Sequence, residues 1–346
     1  MQWTKKRINN ILFFVGVIAV VLMLFTFDVS FPELWQHICD AGKWMIPIVG
    51  VWFFVYGINA LSWRQVIRGN CKDADKISFW RIFKLTITGY ALNYATPVGG
   101  LGGEPYRIME LSRDVSKQEA TSSVILYAMM HIFAHFWLWF TSIFLWLGLV
   151  AYGDPDVKLN TLYGTLLGIA FVFCLIAFYL FSRGYKNGLV IKTLRLIGKI
   201  PGLKGWSQRF LEKHSEALQN VDRQIAALHQ QDKKAFYSSF LLEYLSRIVQ
   251  SLEIMFMLLS IGINGGGGME GYILTFLHSI LILAFTSLFA NLIGFLPLQL
   301  GVQEGGFMLS ITALGLSAAT GMFVSIICRV REIIWIAIGV LLMKVE

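Results

Sequence analysis

The chain has 346 residues, of which 56% are hydrophobic and only 14% are charged. Soluble domains carry about 25% charged residues, so the composition excludes an ordinary soluble protein and predicts an integral membrane protein. The net charge of +8 does not indicate a nucleic-acid partner, because the lysines and arginines cluster in short loops between apolar segments. The four cysteines are isolated and show no metal-ligand spacing, so neither a metal nor another cofactor is expected.

The first half, residues 1–182, is predicted to cross the membrane repeatedly. A basic flank at residues 5–7 places the N-terminus in the cytoplasm, and the first apolar segment is interpreted as a retained helix because no small-residue cleavage site follows it. The acidic segment from Asp28 to Asp40 is expected to be an external loop. The predicted spans of this half are residues 11–27, 44–61, 77–96, 121–151 and 159–182.

A strongly basic connector, residues 183–234, follows and is predicted to be cytoplasmic. Apolar residues recur at helical spacing between positions 211 and 228, which predicts an amphipathic helix. The second half, residues 235–346, contains predicted spans at 235–261 and 272–295 and a final apolar stretch. The predicted fold class is therefore all-α: one polytopic transmembrane helix bundle in the plasma (inner) membrane.

Two glycine-rich loops, each opened by a proline, interrupt the hydrophobic sequence. The first is Pro97-Val-Gly-Gly-Leu-Gly-Gly-Glu104 and the second is Pro297-Leu-Gln-Leu-Gly-Val-Gln-Glu304. Glycine and proline break helices, and broken backbone at membrane depth must be buried in protein or face water. The matched spacing predicts two re-entrant hairpins that enter from opposite faces as an inverted repeat and meet near the bilayer midplane. The candidate loop residues are Asn93, Pro97, Gly99, Gly100, Gly102, Gly103, Pro297, Gly301, Gly305 and Gly306.

Several ionisable side chains fall inside or beside apolar segments, where each costs about 2.5–3.5 kcal/mol on insertion scales. Such residues need a partner or a water-filled cavity, so we expect them to converge inside the bundle. Glu243 and Arg247 are four positions apart and can pair on one helix face. Such a pair could equally be purely structural, with no role in binding. The candidate headgroup-binding residues are Glu104, Arg107, Glu243, Arg247, Glu304, Arg329 and Arg331.

Structural roles stay open for some of these charges. Arg331 and Glu332 could lie in a short cytoplasmic turn between two helices. Glu104 and Glu304 could instead cap the exposed amides of a helix that begins after each loop.

No catalytic signature is present in the sequence, and an enzyme is not expected. The glycine loop at 99–103 lacks the Lys-Ser/Thr that follows a nucleotide-binding loop. His131 and His135 are four apart on an apolar helix, and no nearby carboxylate completes a metal site. They are interpreted as packing and interhelical hydrogen-bonding residues.

The motif from Asn93 to Arg107, Asn-Tyr-Ala-Thr-Pro-Val-Gly-Gly-Leu-Gly-Gly-Glu-Pro-Tyr-Arg, carries a family resemblance together with Gly301-Val-Gln-Glu-Gly-Gly-Phe307. It resembles the membrane region of the lysylphosphatidylglycerol synthase/flippase family, over most of the chain from about residue 11 to 344. Long members of that family couple this region to a soluble aminoacyl-transfer domain, for which this chain has no room. The resemblance implies a stand-alone translocating region that moves a polar-headed phospholipid or glycolipid between leaflets, passively or coupled to an ion.

The expected partners are membrane lipids with anionic or zwitterionic headgroups, and either a homo-oligomer or a lipid-modifying partner enzyme is compatible with the sequence. Arginines suit phosphate because they bind it through two hydrogen bonds, so Arg107 and Arg329 are expected to hold phosphate. Glu104 and Glu304 are candidate proton or cation sites. Two alternatives stay open: a secondary transporter with a closed central cavity for a soluble solute, and a non-transporting scaffold or accessory protein with tightly packed hairpins.

Overall fold

The computed structural model describes residues 31–71, 73–95, 102–187, 209, 211–212, 233–292 and 301–344. All regular secondary structure in these ranges is helical, which confirms the prediction of an all-α protein. The helices are α1 (Phe31–Ala41), α2 (Met45–Asn70), α3 (Phe79–Ala95), α4 (Gly103–Leu111), α5 (Lys117–Tyr152), α6 (Thr161–Asn187), α7 (Lys233–Ser260), α8 (Gly268–Leu292), α9 (Val302–Ala313) and α10 (Ala318–Leu342). The predicted span at 11–27, the loop residues Pro97, Gly99, Gly100 and Pro297, and nearly all of the amphipathic segment at 211–228 lie outside the described residues.

Several of these helices are long and apolar enough to cross a membrane. By length and composition, the described residues contain four such segments: Trp35–Gly69, Lys117–Tyr152, Thr161–Ser182 and Gly268–Leu292. Helices α7 and α10 are also 28 and 25 residues long, but each contains buried charged residues. The molecule is therefore a membrane protein that carries charge into its interior.

Two sequence predictions about element bounds are wrong. The acidic segment expected to be a loop contains helix α1, whose His37 ring packs against Phe323 of α10. Helix α2 continues nine residues beyond the predicted end at position 61, because Trp63, Val66 and Ile67 are buried there. The final apolar stretch forms two helices, α9 and α10, separated by a turn in which Gly315 has φ 73°.

Helices α2–α5 and α7–α10 repeat one order of elements. Each unit has two long helices, a break, a short helix and a further long helix. The last helix of each unit also begins in the same way, because the Ser116 hydroxyl accepts from the Glu119 amide and the Ser317 hydroxyl accepts from the Thr320 amide. The repeated order therefore extends beyond the two loops that the sequence singled out.

Some of the contacts between the two units correspond to one another. Helix α2 packs along α7, α3 packs against α10, and α5 packs against α8, and exchanging the units leaves this set of pairs unchanged. Other contacts are not matched, because α5 packs extensively against α7 whereas α2 contacts α10 only slightly. An inverted repeat stays a prediction.

Contacts at the two ends of α5 locate the arms of the broken segments. At its beginning, Arg81 of α3 pairs with Asp114, which follows α4, at 3.2 Å. At its far end, Asp154 bonds to His278 of α8 at 2.8 Å, and Asp156 lies beside Gly315 after α9. Helices α3 and α4 are therefore linked near the start of α5, whereas α8 and the turn after α9 both contact the turn at its end.

Candidate functional site

A cavity of about 490 Å³ lies between the two four-helix units. Helices α2–α5 and α7–α10 all contribute to its wall, and residues that flank both breaks, Asn93 and Glu104 in one unit and Asn291 and Gln303 in the other, line it. Its charged and imidazole side chains are those of Glu104, Arg107, His131, His135, Arg247, Glu253, Arg331 and Glu332. Of the sequence-predicted headgroup residues, Glu104, Arg107, Arg247 and Arg331 face this cavity, whereas Glu243, Glu304 and Arg329 are not part of its lining.

The start of α4 is fixed by a close approach to α3. A Cβ atom on Gly103 would lie 2.0 Å from the carbonyl oxygen of Gly89, so these backbones can meet only at glycine. The Asn93 side chain spans the contact: its Oδ1 accepts from the Gly103 amide at 2.6 Å and its Nδ2 donates to Glu104 Oε1 at 3.2 Å. Asn93 therefore satisfies a helix-start amide and orients the carboxylate of Glu104.

Arg107 is 2% exposed and is held by partners of its own unit. Its Nη1 donates to Glu104 Oε1 at 3.1 Å and its Nη2 donates to the Thr86 carbonyl at 3.2 Å. The guanidinium also lies over three aromatic rings, at 4.7 Å from that of Tyr90, 5.4 Å from Tyr127 and 5.7 Å from Trp63. Charge and cation–π contacts together compensate its removal from water.

Arg331 contacts both units, because it pairs with a glutamate of its own unit and lies over a tryptophan of the other. Its Nε and Nη2 donate to the two carboxylate oxygens of Glu253 on α7, at 2.6 and 3.2 Å. The guanidinium lies 3.9 Å from the ring centroid of Trp52, whose Nε1 donates to the same carboxylate at 2.7 Å. The alternative that Arg331 and Glu332 lie in a cytoplasmic turn is wrong, because both are buried within α10.

Arg329 binds the short helix that follows the second break. Its Nε donates to Glu304 Oε1 of α9 at 2.9 Å, and its Nη1 donates to Glu332 Oε2 at 3.0 Å. Gln303 Nε2 donates to the other oxygen of Glu332 at 3.0 Å, so this carboxylate is shared between α9 and α10. Glu104 and Glu304 both lie in the first turn of a short helix, where the helix dipole favours an acid. Each carboxylate binds an arginine and does not cap the free backbone amides at the start of its helix.

The expected pair of Glu243 and Arg247 is not formed. Glu243 is completely buried, and the His131 imidazole lies 2.8 Å from its Oε2 through Nδ1. Arg247 Nη2 lies 2.6 Å from Nε2 and 2.8 Å from Nδ1 of the same ring, and Arg247 Nη1 donates to Gln250 Oε1 at 2.9 Å. The imidazole therefore contacts both the carboxylate and the guanidinium, which the helical spacing alone would have paired with each other.

His131 shows why sequence reasoning missed part of the site. The HxxxH spacing was visible, and the interpretation as interhelical hydrogen-bonding residues fits His131, but the premise that no carboxylate is nearby was wrong because Glu243 is supplied by α7. Within the described residues, the three metal-ligand types whose atoms come within 4.8 Å of one another are instead Asp154, Asp156 and His278, at the far end of α5. Trp52 carried no signal in the sequence, since it acts through a contact with another helix. Gln250 lies three positions after Arg247 on the same helix, and this spacing could have indicated the contact between them.

Some buried polar atoms of the network have no partner among the described residues. These atoms are Glu104 Oε2, Arg107 Nε, Glu243 Oε1, Arg247 Nε and Glu304 Oε2. Buried polar groups are nearly always hydrogen-bonded, so these atoms mark places where water or a ligand is expected to bind. Glu104, Arg107 and Arg247 line the cavity, whereas Glu243 and Glu304 do not.

Two residues of the cavity lining are also exposed. Ile132 on α5 is 51% exposed, and Asn291 on α8 is exposed as well. Nearby, Trp139 Nε1 donates to the Ser287 hydroxyl at 2.9 Å and joins the two helices. The cavity wall therefore includes side chains that reach the outer surface on both α5 and α8.

The fold and the site together define a multi-pass helical membrane protein with a charged cavity between two similar helical units. The family model described as the lysylphosphatidylglycerol synthase TM region matches residues 11–339. The chain therefore belongs to this family, as its glycine-loop motifs predicted. Comparison with curated proteins and with solved structures gave no significant match.

Proposed function

We propose that this protein moves a polar-headed membrane lipid between the two leaflets without changing the lipid chemically. The observation that carries this proposal is the cavity that contains charges of both signs and whose lining includes exposed residues of α5 and α8, between which we place a lateral opening. A lipid headgroup cannot cross hydrocarbon unaided, but it can move through a polar cavity while its acyl chains stay in the bilayer. A carrier for a soluble solute would need no opening on the apolar flank.

The two broken segments are proposed to be re-entrant hairpins that open on opposite membrane faces. The contacts of Arg81 with Asp114 at the start of α5, and of Asp154 with His278 at its end, support this arrangement. Inverted repeats of this kind bring two breaks together at the bilayer midplane and allow alternating access by movement of one unit against the other. The N-terminus is proposed to be cytoplasmic and the membrane to be the plasma membrane.

Glu104 and Glu304 are proposed to control the movement as proton or cation sites. Each stands in the first turn after a break, and each retains a buried carboxylate oxygen without a partner among the described residues. The sequence contains no ATPase motif, so transport is proposed to be passive or driven by an ion gradient. Glutamine keeps the shape of these side chains but removes their charge.

Leaflet exchange of fluorescent lipids in reconstituted liposomes tests this function. The wild-type protein should accelerate exchange over empty liposomes, and Glu104→Gln or Glu304→Gln should lower that rate by roughly tenfold, about 1.4 kcal/mol, with folding largely retained. Arg107→Ala should lower the rate more than Arg107→Lys, because lysine keeps the charge that neutralises Glu104. Exchange equal to that of empty liposomes for several headgroups would refute the proposal and favour a scaffold, whereas uptake of a soluble solute with no lipid exchange would favour a solute carrier.

A further inference from the structure

Arg247 differs from the other buried arginines of the network. Arg107, Arg329 and Arg331 each have a carboxylate oxygen within 3.1 Å. Arg247 is 6% exposed and lines the cavity, but within the described part of the chain no carboxylate comes within ion-pair distance of it. A buried arginine without a carboxylate is costly, and an anion from outside would relieve that cost.

The neighbours of Arg247 fix its guanidinium at the cavity wall. Its Nη1 bonds to Gln250 and its Nη2 to the His131 imidazole, whereas its Nε is buried without a partner among the described residues. Gln250 and His131 also line the cavity. Together they hold a positive charge beside the cavity that no carboxylate neutralises, and such a charge suits a phosphate oxygen.

The charges of the cavity wall restrict which phosphate compound fits. The lining contains three arginines, Arg107, Arg247 and Arg331, and three glutamates, Glu104, Glu253 and Glu332. The wall therefore has equal numbers of arginines and glutamates before a ligand enters, and a lone phosphate monoanion would add a net negative charge to it. Glu104 lines the cavity, and its carboxylate suits a positive group on the same ligand.

We propose that Arg247 is the phosphate-binding residue of the cavity and that its preferred ligand is a zwitterionic phospholipid headgroup, whose ammonium group is received by Glu104. This inference rests on the proposed function. It assigns phosphate binding to Arg247, whereas the sequence analysis expected Arg107 and Arg329 to hold phosphate. Arg107 and Arg329 are neutralised by Glu104 and Glu304, so they are structural supports of the two acids in this account.

Native mass spectrometry of the full-length protein tests the assignment, with three short-chain probes: dihexanoyl phosphatidylethanolamine, dihexanoyl phosphatidylglycerol and dihexanoylglycerol. The wild-type protein should bind the first most tightly and the phosphate-free third most weakly. Arg247→Gln should weaken phosphatidylethanolamine binding by about tenfold or more and leave dihexanoylglycerol binding unchanged, because a charged hydrogen bond to phosphate is lost. Arg247→Lys should lie between the two, and Glu104→Gln should reduce the preference for phosphatidylethanolamine over phosphatidylglycerol.

Wild-type affinity of Arg247→Gln for phosphatidylethanolamine, or equal wild-type binding of all three probes, would overturn the assignment. If Arg247→Gln does not fold, Gln250→Leu replaces it, since it keeps every charge but removes the side chain that orients Arg247. That variant should also lose the preference for phosphate, and an unchanged preference would count against the site. Binding that depends on Arg247 in a protein without leaflet exchange would refute only the proposed function, and exchange whose headgroup preference ignores Arg247 would refute only this assignment.

Discussion

The two four-helix units satisfy equivalent glutamates in different ways. Glu104 pairs with Arg107 one turn further along the same short helix, whereas Glu304 pairs with Arg329 on the neighbouring helix α10. In the first unit the position of α4 is set by the contact between Gly89 and Gly103, and the ion pair is local. In the second unit the ion pair itself links the short helix to the bundle, so the same motif serves two different structural purposes.

The largest expected effect is the loss of stability when the partner of a buried glutamate on α7 is removed. The two glutamates differ in this respect, since Glu253 bonds to Arg331 of the second unit and Glu243 to His131 of the first. Arg331→Leu leaves Glu253 charged and buried, which costs about 3–5 kcal/mol and should prevent folding or lower the melting temperature sharply. His131→Leu should be milder, because it removes a hydrogen bond and not a permanent charge. Thermal unfolding in detergent measures both effects.

The control for this prediction is the double variant with Arg331→Leu and Glu253→Leu. Replacing a whole buried ion pair with apolar residues is often neutral, so the double variant should recover most of the lost stability. If the single Arg331→Leu variant has the melting temperature of the wild type, the pair of Arg331 and Glu253 is not important for stability.

A smaller effect is expected from the glycines that follow the two breaks. Gly103→Ala places a Cβ atom 2.0 Å from the Gly89 carbonyl oxygen, so α4 must move away from α3 at a cost of about 1–3 kcal/mol. Gly305→Ala is the control change in the short helix of the other unit, where no atom lies within 4 Å of the added group. Melting temperatures of the two variants should differ clearly, and equal destabilisation would show that the contact with Gly89 does not determine the cost of the Gly103 change.

The smallest expected effect concerns local stability at the two acids. Glu304→Gln should weaken the link between α9 and α10 and increase amide hydrogen exchange in α9, because local opening depends on such contacts. Glu104→Gln should leave exchange in α4 nearly unchanged, since α4 is also held by the Asn93 bond to the Gly103 amide and by the contact between Gly89 and Gly103. Mass spectrometry of exchanged peptides reads out both helices in one sample, and greater exchange in α4 than in α9 would reverse the comparison.

The fold class and the convergence of buried charge could be predicted from the sequence. An apolar composition fixes a helical membrane protein, and the insertion cost of residues such as Glu253 and Arg331 requires that they meet in a common interior. The family assignment was carried by the glycine-loop motifs and is confirmed over residues 11–339. These conclusions depend on local sequence patterns or on the free-energy cost of inserting charged residues into a membrane, which is general to membrane proteins.

The partners within the site could not be predicted, because they are set by contacts between helices distant in sequence. Glu243 and Arg247 have the spacing of a helical pair, yet His131, more than a hundred positions earlier, comes between them. Trp52 binds a carboxylate 201 positions away, and nothing in its own segment signals this. Spacing identifies residues that are able to pair, but only the packing of α2, α5, α7 and α10 decides which pairs form.

The most direct test of the central claim measures leaflet exchange when the opening between α5 and α8 is blocked. Ile132→Trp adds bulk at a residue that is both exposed and part of the cavity lining, whereas Ile169→Trp adds the same bulk at a 62% exposed position on α6 outside it. We expect Ile132→Trp to slow exchange of a labelled zwitterionic phospholipid at least severalfold and Ile169→Trp to exchange at the wild-type rate, with equal melting temperatures. Unimpaired exchange in the Ile132→Trp variant would contradict passage of the headgroup through this opening.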